Sequence, residues 1–480
     1  MKALGVSDYF RRHQEQAFLL KVFLLIIVII TLKGYIDAFM GIIMFIFPVL
    51  FLFYIRLKAI ATNKSATSVL KQHITFMPVF YAEGERKKEG VALVTYLLIA
   101  MNVAVFYMFQ LNPLIDREFV YNNLLFLPPE PNFWNVPISA ITAVFLHAND
   151  GHLWGNMIFL WVVGTVVEKR MGWERFLLSY MIAGIVAGIV AASVPFIFLG
   201  KVSHGLGASG AISGVMGLFA VRCYFKSMVF PLPILGIFSL ILPVALKIRL
   251  NSLVIIGIFF YLDLSGGIGQ LAGTVMSNIG HWAHIGGMIA GICIAWFTGL
   301  GEQAVEERHL DIGVKATDEG MTSGEGEESL KIVLQKNPAN GEALLSLARM
   351  KSRFSSTEEG RDYYAKAVKA LAASNPQEAA TVFKEFYSKY LSGVEPVLQL
   401  RLSGVLYKRG ELDIAARSLE MLSNSKDTPP DVLERAIYQC AAVLEEMGLS
   451  EAATSYYERY VESFPDSPAL PKIKAKLKSA

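Results

Sequence analysis

The first 300 residues of the chain consist of long apolar runs separated by short polar segments. Several runs approach the ~20 residues that a helix needs to cross a bilayer. We predict a membrane hairpin formed by Leu19–Leu32 and Ile36–Ile55, followed by six further spans. The six spans are Val91–Gln110, His152–Val167, Phe176–Leu199, Gly207–Phe225, Leu250–Leu264 and Gly280–Leu300. The pattern therefore predicts an all-α membrane bundle, with residues 1–90 as hairpin and connector and residues 91–300 as a six-helix core.

One apolar run departs from this pattern. Met228–Leu246 is interrupted by Pro231, Pro233 and Pro243, which a continuous helix would not tolerate well. We interpret this run as a segment at the membrane interface and not as a further span.

The last 180 residues are polar and rich in Ala, Glu and Lys. We predict a flexible linker at 301–328 and a soluble α-helical domain at 329–480. Two stretches of this domain match each other around Gly410 and Gly448, at a spacing wider than the ~34 residues of a tetratricopeptide (TPR) repeat. The pattern indicates a degenerate, TPR-like domain with a surface for an unknown protein partner. A helical bundle without a ligand is the alternative.

Charge gives the expected orientation. Basic residues concentrate in Glu168–Arg175 and between Arg222 and Arg249, whereas Ser265–Ile279 carries no charge. Because positive loops tend to stay in the cytoplasm, we expect both ends of the core there, in a bacterial inner membrane. The net charge of +3 indicates no nucleic-acid partner, and the three cysteines have no spacing typical of a metal site or disulfide.

Two motifs bring nucleophilic and basic groups into apolar segments. Ser209 lies in Gly207-Ala208-Ser209-Gly210, at the start of a predicted span, and His284 lies in Ala283-His284-Ile285-Gly286-Gly287. The serine motif alone is more typical of close helix packing than of catalysis. However, Ala283, Gly287 and Gly291 form a small-residue face that suits packing against Gly207–Gly214. Such packing would bring Ser209 within reach of His284.

A third group of polar residues lies near the same predicted side of the membrane. His152 and Asn156 are four residues apart, hence on one helical face, and both side chains can donate hydrogen bonds to a carbonyl oxygen. Glu168 lies at the basic end of the same span, and we interpret it as structural. Asp263 is likewise interpreted as a structural hydrogen-bonding group.

The ordered set of motifs, with His147, His152 and Asn156 and with Gly164, Glu168 and Gly172, resembles the rhomboid family of intramembrane serine proteases. The resemblance covers about Val91–Leu300. It implies a Ser209–His284 dyad without a carboxylate member, and an oxyanion hole of His152, Asn156 and the Ser209 N–H. It also implies supporting roles for His147 and Gly207, transmembrane proteins as substrates, and no metal or organic cofactor.

Two other functions remain open on the sequence. A rhomboid-like scaffold would bind membrane clients without cutting them, although such proteins usually lack the serine or the histidine, and both are present here. A transporter could use His147, His152 and His284 as a proton relay. Transporters of this kind usually contain internal repeats among their spans, and we find none in the sequence.

Overall fold

The computed structural model describes residues 53–75, 81–82, 90–233, 245–276, 278–321 and 324–479. The predicted hairpin Leu19–Leu32 and Ile36–Ile55 lies outside these residues, except for its last three. The chain divides into two compact units, Met1–Ala304 and Val305–Ala480.

The first unit is mainly helical. Its helices are α1 (Ala66–His73), α2 (Leu93–Ala104), α3 (Arg117–Asn123), α4 (Asn135–Thr142), α5 (Asp150–Phe159), α6 (Thr165–Met171), α7 (Trp173–Leu199), α8 (Ser209–Arg222), α9 (Ser252–Leu271) and α10 (His281–Phe297). A π-helical segment, Val105–Gln110, extends α2, and another, Leu160–Gly164, joins α5 to α6. Each of the six predicted spans is thus largely helical, although His152–Val167 is divided among α5, a π-helical segment and α6.

Length and apolar character single out the helices that can cross a bilayer. Within the described ranges, Leu93–Gln110, Trp173–Leu199 and Ser252–Leu271 qualify alone, and His281–Phe297 with Leu300–Asp318 would add a fourth if the pair formed one span. Helix α8 is short but central, since every residue from Gly210 to Ala220 is buried. The core around it contains large, fully buried side chains, among them Leu153, Leu160, Phe176, Tyr180, Leu218 and Phe219.

A small sheet adds β-structure to the predicted all-helical bundle. Its strands are β1 (Ile74–Thr75), β2 (Tyr81–Ala82), β3 (Ser227–Pro233) and β4 (Ala245–Asn251), all antiparallel in the order β1-β4-β3-β2. The described parts of the proposed interfacial segment Met228–Leu246 are therefore strands. Among the described residues, β2 pairs with Met228 and Val229 of β3. The prolines of β3 lie beyond this pairing and face β4 on one side, where a missing N–H costs less.

Helices α8 and α10 approach each other backbone to backbone, as the small-residue faces predicted. A Cβ atom added at Gly287 would overlap the carbonyl oxygen of Gly210, and one at Gly291 would overlap that of Gly214. From the opposite side, a Cβ at Gly217 would overlap the carbonyl oxygen of Met288. Glycine is therefore required at these positions for the two helices to pack this closely.

The second unit is a series of helices, each packed against the next. They are α11 (Leu300–Asp318, which begins in the first unit), α12 (Glu325–Lys336), α13 (Gly341–Lys351), α14 (Glu358–Ser374), α15 (Pro376–Tyr390), α16 (Pro396–Lys408), α17 (Leu412–Asn424), α18 (Pro430–Glu446), α19 (Ser450–Ser463) and α20 (Leu470–Ser479). The residues predicted as a flexible linker are thus mostly helical. Ala316 packs with the buried Leu330 and Val333, and Leu310 packs against the same cluster. This packing explains why the stretch forms a helix and not a flexible linker.

The two matching stretches of this unit have the same local structure. Gly410 and Gly448 both follow the end of a helix with positive φ, at 75° and 76°. In each case the next residue donates a hydrogen bond back to the preceding helix, from Glu411 to the Leu406 carbonyl and from Leu449 to the Leu444 carbonyl. This is the Schellman arrangement, which favours glycine. The sequence match therefore reflects a repeated helix–turn–helix unit.

Candidate functional site

Five of the predicted site residues line one cavity in the first unit. The cavity has a volume of about 900 Å³, and its walls include His152, Asn156, Gly207, Ser209 and His284. These residues come from three separate parts of the sequence. Because α5, α8 and α10 each begin at or near these residues, the cavity lies at the same end of all three helices.

Ser209 is the first residue of α8, directly after Ala208. The N–H groups of a first helical turn have no acceptor within their own helix, so they can donate to a negatively charged atom that lies just beyond the helix start. The loop before the helix is fixed by a 2.8 Å hydrogen bond from the Gly207 N–H to the Ala143 carbonyl. The serine hydroxyl and a set of free backbone donors thus share the helix entrance.

His284 lies in the first turn of α10, and its side chain is 18% exposed. Gly210, the residue after Ser209, is close to this turn, since a Cβ added there would lie 3.7 Å from Ala283 Cβ. Across the part of the chain that the structure describes, no hydrogen bond joins Ser209 to His284. Catalytic hydrogen bonds are often long without substrate and shorten when it binds.

His152 presents one edge of its imidazole to the loop that precedes Ser209. Its backbone N–H donates to the Asn149 side chain, which caps α5. Its Nδ1 accepts a 3.4 Å hydrogen bond from the Ala148 N–H, which leaves the proton on Nε2. A Cβ at Gly207 would lie 2.7 Å from His152 Cε1 and 3.0 Å from Nε2. Gly207, at φ 121°, therefore makes room for a histidine that can donate into the cavity.

Asn156 is 8% exposed, and its amide nitrogen has no hydrogen-bond partner within the described residues. Because Asn156 lines the cavity, this amide can donate to a group that enters it. His147 does not line the cavity. It is fully buried behind it, with its ring centroid 5.1 Å from that of His152, and a pair of backbone hydrogen bonds with the Gln110 side chain fixes its position.

The structure also brings a carboxylate to the site. Asp263 Oδ1 lies 2.9 Å from His284 Nδ1 and 2.8 Å from His281 Nδ1. The sequence prediction treated Asp263 as structural and gave the dyad no carboxylate. The signal that could have located it is the spacing of Asp263, Gly266 and Gly267, which places a carboxylate beside two small residues on one face of α9.

Glu168, interpreted from the sequence as structural, is held by groups at the start of α2. Its carboxylate accepts hydrogen bonds from the Val94 N–H at 2.9 Å, and from the Thr95 N–H and hydroxyl at 2.7 Å each. It therefore caps the first turn of α2 from a distant part of the chain.

Part of the chain is similar to one family of known proteins. Residues 133–300 match the Rhomboid domain family. Among relatives, the rhomboid protease GluP of Bacillus subtilis is 31% identical over 46% of this chain and 39% of its own length. Rhomboid-like protein 11 of Arabidopsis thaliana is 28% identical over 45% of this chain and 69% of its own length. The rhomboid protease AarA of Providencia stuartii is 32% identical over 26% of this chain and 49% of its own length.

These matches support the rhomboid family for the first unit, and with the apolar helices they support a multi-pass integral membrane protein. The match spans well under half of the B. subtilis relative. Among solved structures, the crystal structure of MamA protein covers 34% of this chain and 92% of its own at 21% identity. The TM-score of this match is 0.18.

Proposed function

We propose that this chain is an intramembrane serine endopeptidase that uses Ser209 as nucleophile and His284 as general base. The observation that carries the proposal is the convergence on one cavity of a hydroxyl, an imidazole and two separate hydrogen-bond donors. Acyl transfer needs these groups within a few ångströms of one carbonyl carbon.

In the first step, Ser209 Oγ attacks the carbonyl carbon of the scissile peptide bond. His284 Nε2 takes the hydroxyl proton, and the carbonyl π electrons move onto oxygen. When the tetrahedral intermediate collapses, the C–N bond breaks and His284 returns the proton to the leaving nitrogen. Water then hydrolyses the acyl-enzyme through the same two residues, which regenerates the Ser209 hydroxyl.

The oxyanion of this intermediate would lie between three donors. They are the Nδ2 group of Asn156, the Nε2–H of His152 and the N–H of Ser209 at the start of α8. All three residues line the cavity, and the Asn156 amide nitrogen has no partner within the described residues. His147 and Gly207 support this set, His147 by packing against the His152 ring and Gly207 by leaving space for it.

The length of α8 supports cleavage below the membrane surface. Its 14 residues span about 21 Å, less than the ~30 Å of a hydrocarbon core. If the Arg222 end lies at the cytoplasmic boundary, as the loop charges indicate, Ser209 lies beneath the opposite face. Substrates are then transmembrane proteins cut near that face, with residues that allow a helix to unwind, since an intact helix hides its carbonyl groups.

The helical repeats of the second unit support a further part of the proposal. Residues 329–480 form a TPR-like domain that binds a protein partner, and the repeated helix ends at Gly410 and Gly448 support this interpretation.

The test uses the full chain reconstituted in liposomes with a fluorescent single-span substrate that carries small and helix-breaking residues near one end. We expect cleavage by the wild-type protein and none by Ser209→Ala or His284→Ala, with unchanged thermal unfolding. Binding of the substrate without cleavage by the wild-type protein would instead favour an inactive scaffold.

A further inference from the structure

Helix α9 is shaped on one face to receive the first turn of α10. The ring of His281 lies directly against Gly266, where a Cβ would overlap the imidazole. Gly267 receives Trp282, since a Cβ there would lie 3.0 Å from Trp282 Cε2. Asp263 lies three residues before Gly266, hence on the same face. The two glycines therefore allow α10 to approach closely enough for its histidines to reach the carboxylate.

Asp263 is the acceptor that both histidines share. Its Oδ1 lies 2.9 Å from His284 Nδ1 and 2.8 Å from His281 Nδ1, and the three side chains are only 11–18% exposed. No lysine or arginine lines the adjacent cavity among the described residues. The imidazoles are thus the groups that compensate this carboxylate in a region where an uncompensated charge would be costly.

We infer that Asp263 is a positioning residue for catalysis, which turns the Ser209–His284 pair into a three-membered arrangement. The inference rests on the proposed protease function. A carboxylate that accepts the Nδ1 proton of His284 fixes one tautomer, in which Nε2 is unprotonated and available to the Ser209 hydroxyl. It also opposes the positive charge on His284 while the imidazole holds the serine proton. Asp263 itself takes up no proton in this scheme.

His281 has a separate part in this arrangement. Because it donates to the same oxygen as His284, it restrains rotation of the carboxylate and keeps Oδ1 directed at His284 Nδ1. The contact of its ring with Gly266 in turn fixes the position of His281. The ionisable groups around His284 are then Asp263 from α9, His281 from its own helix and His152 across the cavity.

A purely structural Asp263 would give a different kinetic result. If the carboxylate served only to hold α9 against α10, its replacement would lower the fraction of folded protein, and the molecules that remained folded would cut at the normal rate. A positioning residue instead lowers kcat in folded protein and leaves KM nearly unchanged, because the substrate does not touch it.

The experiment compares wild type, Asp263→Asn, Asp263→Glu and the control Glu174→Gln, an exposed carboxylate at the start of α7. Each full chain is reconstituted in liposomes, checked by thermal unfolding, and assayed for kcat and KM on the single-span substrate. We expect Asp263→Asn to lower kcat on the order of 100-fold with KM within about twofold. Asp263→Glu, which retains the charge, should recover part of this loss, and Glu174→Gln should match wild type.

The inference is overturned if folded Asp263→Asn keeps the wild-type kcat. It is also overturned if Asp263→Asn and Asp263→Glu both lose activity in proportion to folded protein. These outcomes leave the proposed protease intact, because wild type still cuts and Ser209→Ala does not. A wild-type protein without Ser209-dependent cleavage would refute the proposed function, and the inference with it.

Discussion

The two units hold their helices together in different ways. In the first, α8 and α10, which are far apart in sequence, meet through glycines that let backbone atoms touch. In the second, neighbouring helices pack through ordinary apolar side chains such as Leu344, Val368 and Phe383. Close backbone contact leaves little space for side chains and fixes the ends of α8 and α10 relative to each other. Such fixed ends suit a site that needs exact placement of small polar groups.

One buried amide in each unit shows a similar contrast. Asn156 in the first unit has an amide nitrogen without a partner among the described residues, whereas Gln399 in the second is 1% exposed and donates at 2.9 Å to the Ser418 carbonyl. The side-chain oxygen of Gln399 also accepts a hydrogen bond from the Val394 N–H. A satisfied amide stabilises a fold, whereas an unpartnered amide beside a cavity can donate to a group inside that cavity. The comparison therefore predicts opposite consequences for matched substitutions.

The largest expected effect comes from replacing these two amides. Asn156→Ala should lower kcat by about 100-fold, because one oxyanion donor is lost, while the thermal unfolding temperature changes little. Gln399→Ala should lower the free energy of unfolding by about 1–3 kcal/mol and leave kcat unchanged. Kinetics and calorimetry on the full chain check both. Equal effects of the two variants on kcat would refute the contrast.

The next effect concerns the backbone contact between α8 and α10. Gly287→Ala places a methyl group on the Gly210 carbonyl oxygen and should destabilise the folded protein by about 3 kcal/mol. Gly155→Ala, on the exposed face of α5 with open space around it, is the matched control. It should be neutral or slightly stabilising, since alanine favours helix. Equal unfolding temperatures for the two variants would show that the close contact is absent.

A smaller effect is expected at the helix ends of the second unit. Gly410→Ala should cost about 1 kcal/mol, because φ at this position is 75° and an alanine there is strained. Gly404→Ala, within α16 and with open space at its Cβ, should instead gain up to about 1 kcal/mol. Chemical denaturation of the full chain distinguishes the signs. A gain from both substitutions would mean that the turn is not the one described.

The smallest effect is a pH dependence in the second unit. Burial raises the pKa of the Glu385 carboxyl, but hydrogen bonds from Arg349 and Tyr364 outweigh it and leave this pKa below its usual value. The ionised Glu385 carboxylate therefore stabilises the folded protein fully at pH values above its pKa in the unfolded chain, about 4.3. This stabilisation is lost as the pH falls through the lower pKa of the folded protein. Unfolding temperatures measured between pH 3 and 7 should fall less steeply for Glu385→Gln than for wild type. Parallel curves would contradict this role.

The sequence predicted much of the first unit because its signals are local or periodic. Apolar length located the helices, and the four-residue spacing of Ala283, Gly287 and Gly291 predicted the contact with α8. The sheet was not predicted, since its outer strands are two residues long in the described part of the chain and Pro231 and Pro233 interrupt β3. The apolar and polar residues of β4 do alternate at 246–251, but these residues fell across the boundary between the proposed interfacial segment and the next predicted span.

Other features depend on partners that sequence spacing does not identify. Residues of α11 are helical because Leu310 and Ala316 pack against α12. The charged, glycine-rich composition of this stretch predicted a flexible linker instead. The role of Asp263 depends on which helix it faces, and only the structure places it beside His281 and His284.

The most direct test of the shared Ser209–His284 site is covalent labelling by a fluorophosphonate in the full-length protein, followed by mass spectrometry of the peptide that contains Ser209. We predict modification at Ser209 in the wild-type protein and almost none in folded His284→Ala, because the hydroxyl then lacks its base. Equal labelling rates in the two proteins, or modification at a different residue, would contradict the proposed dyad.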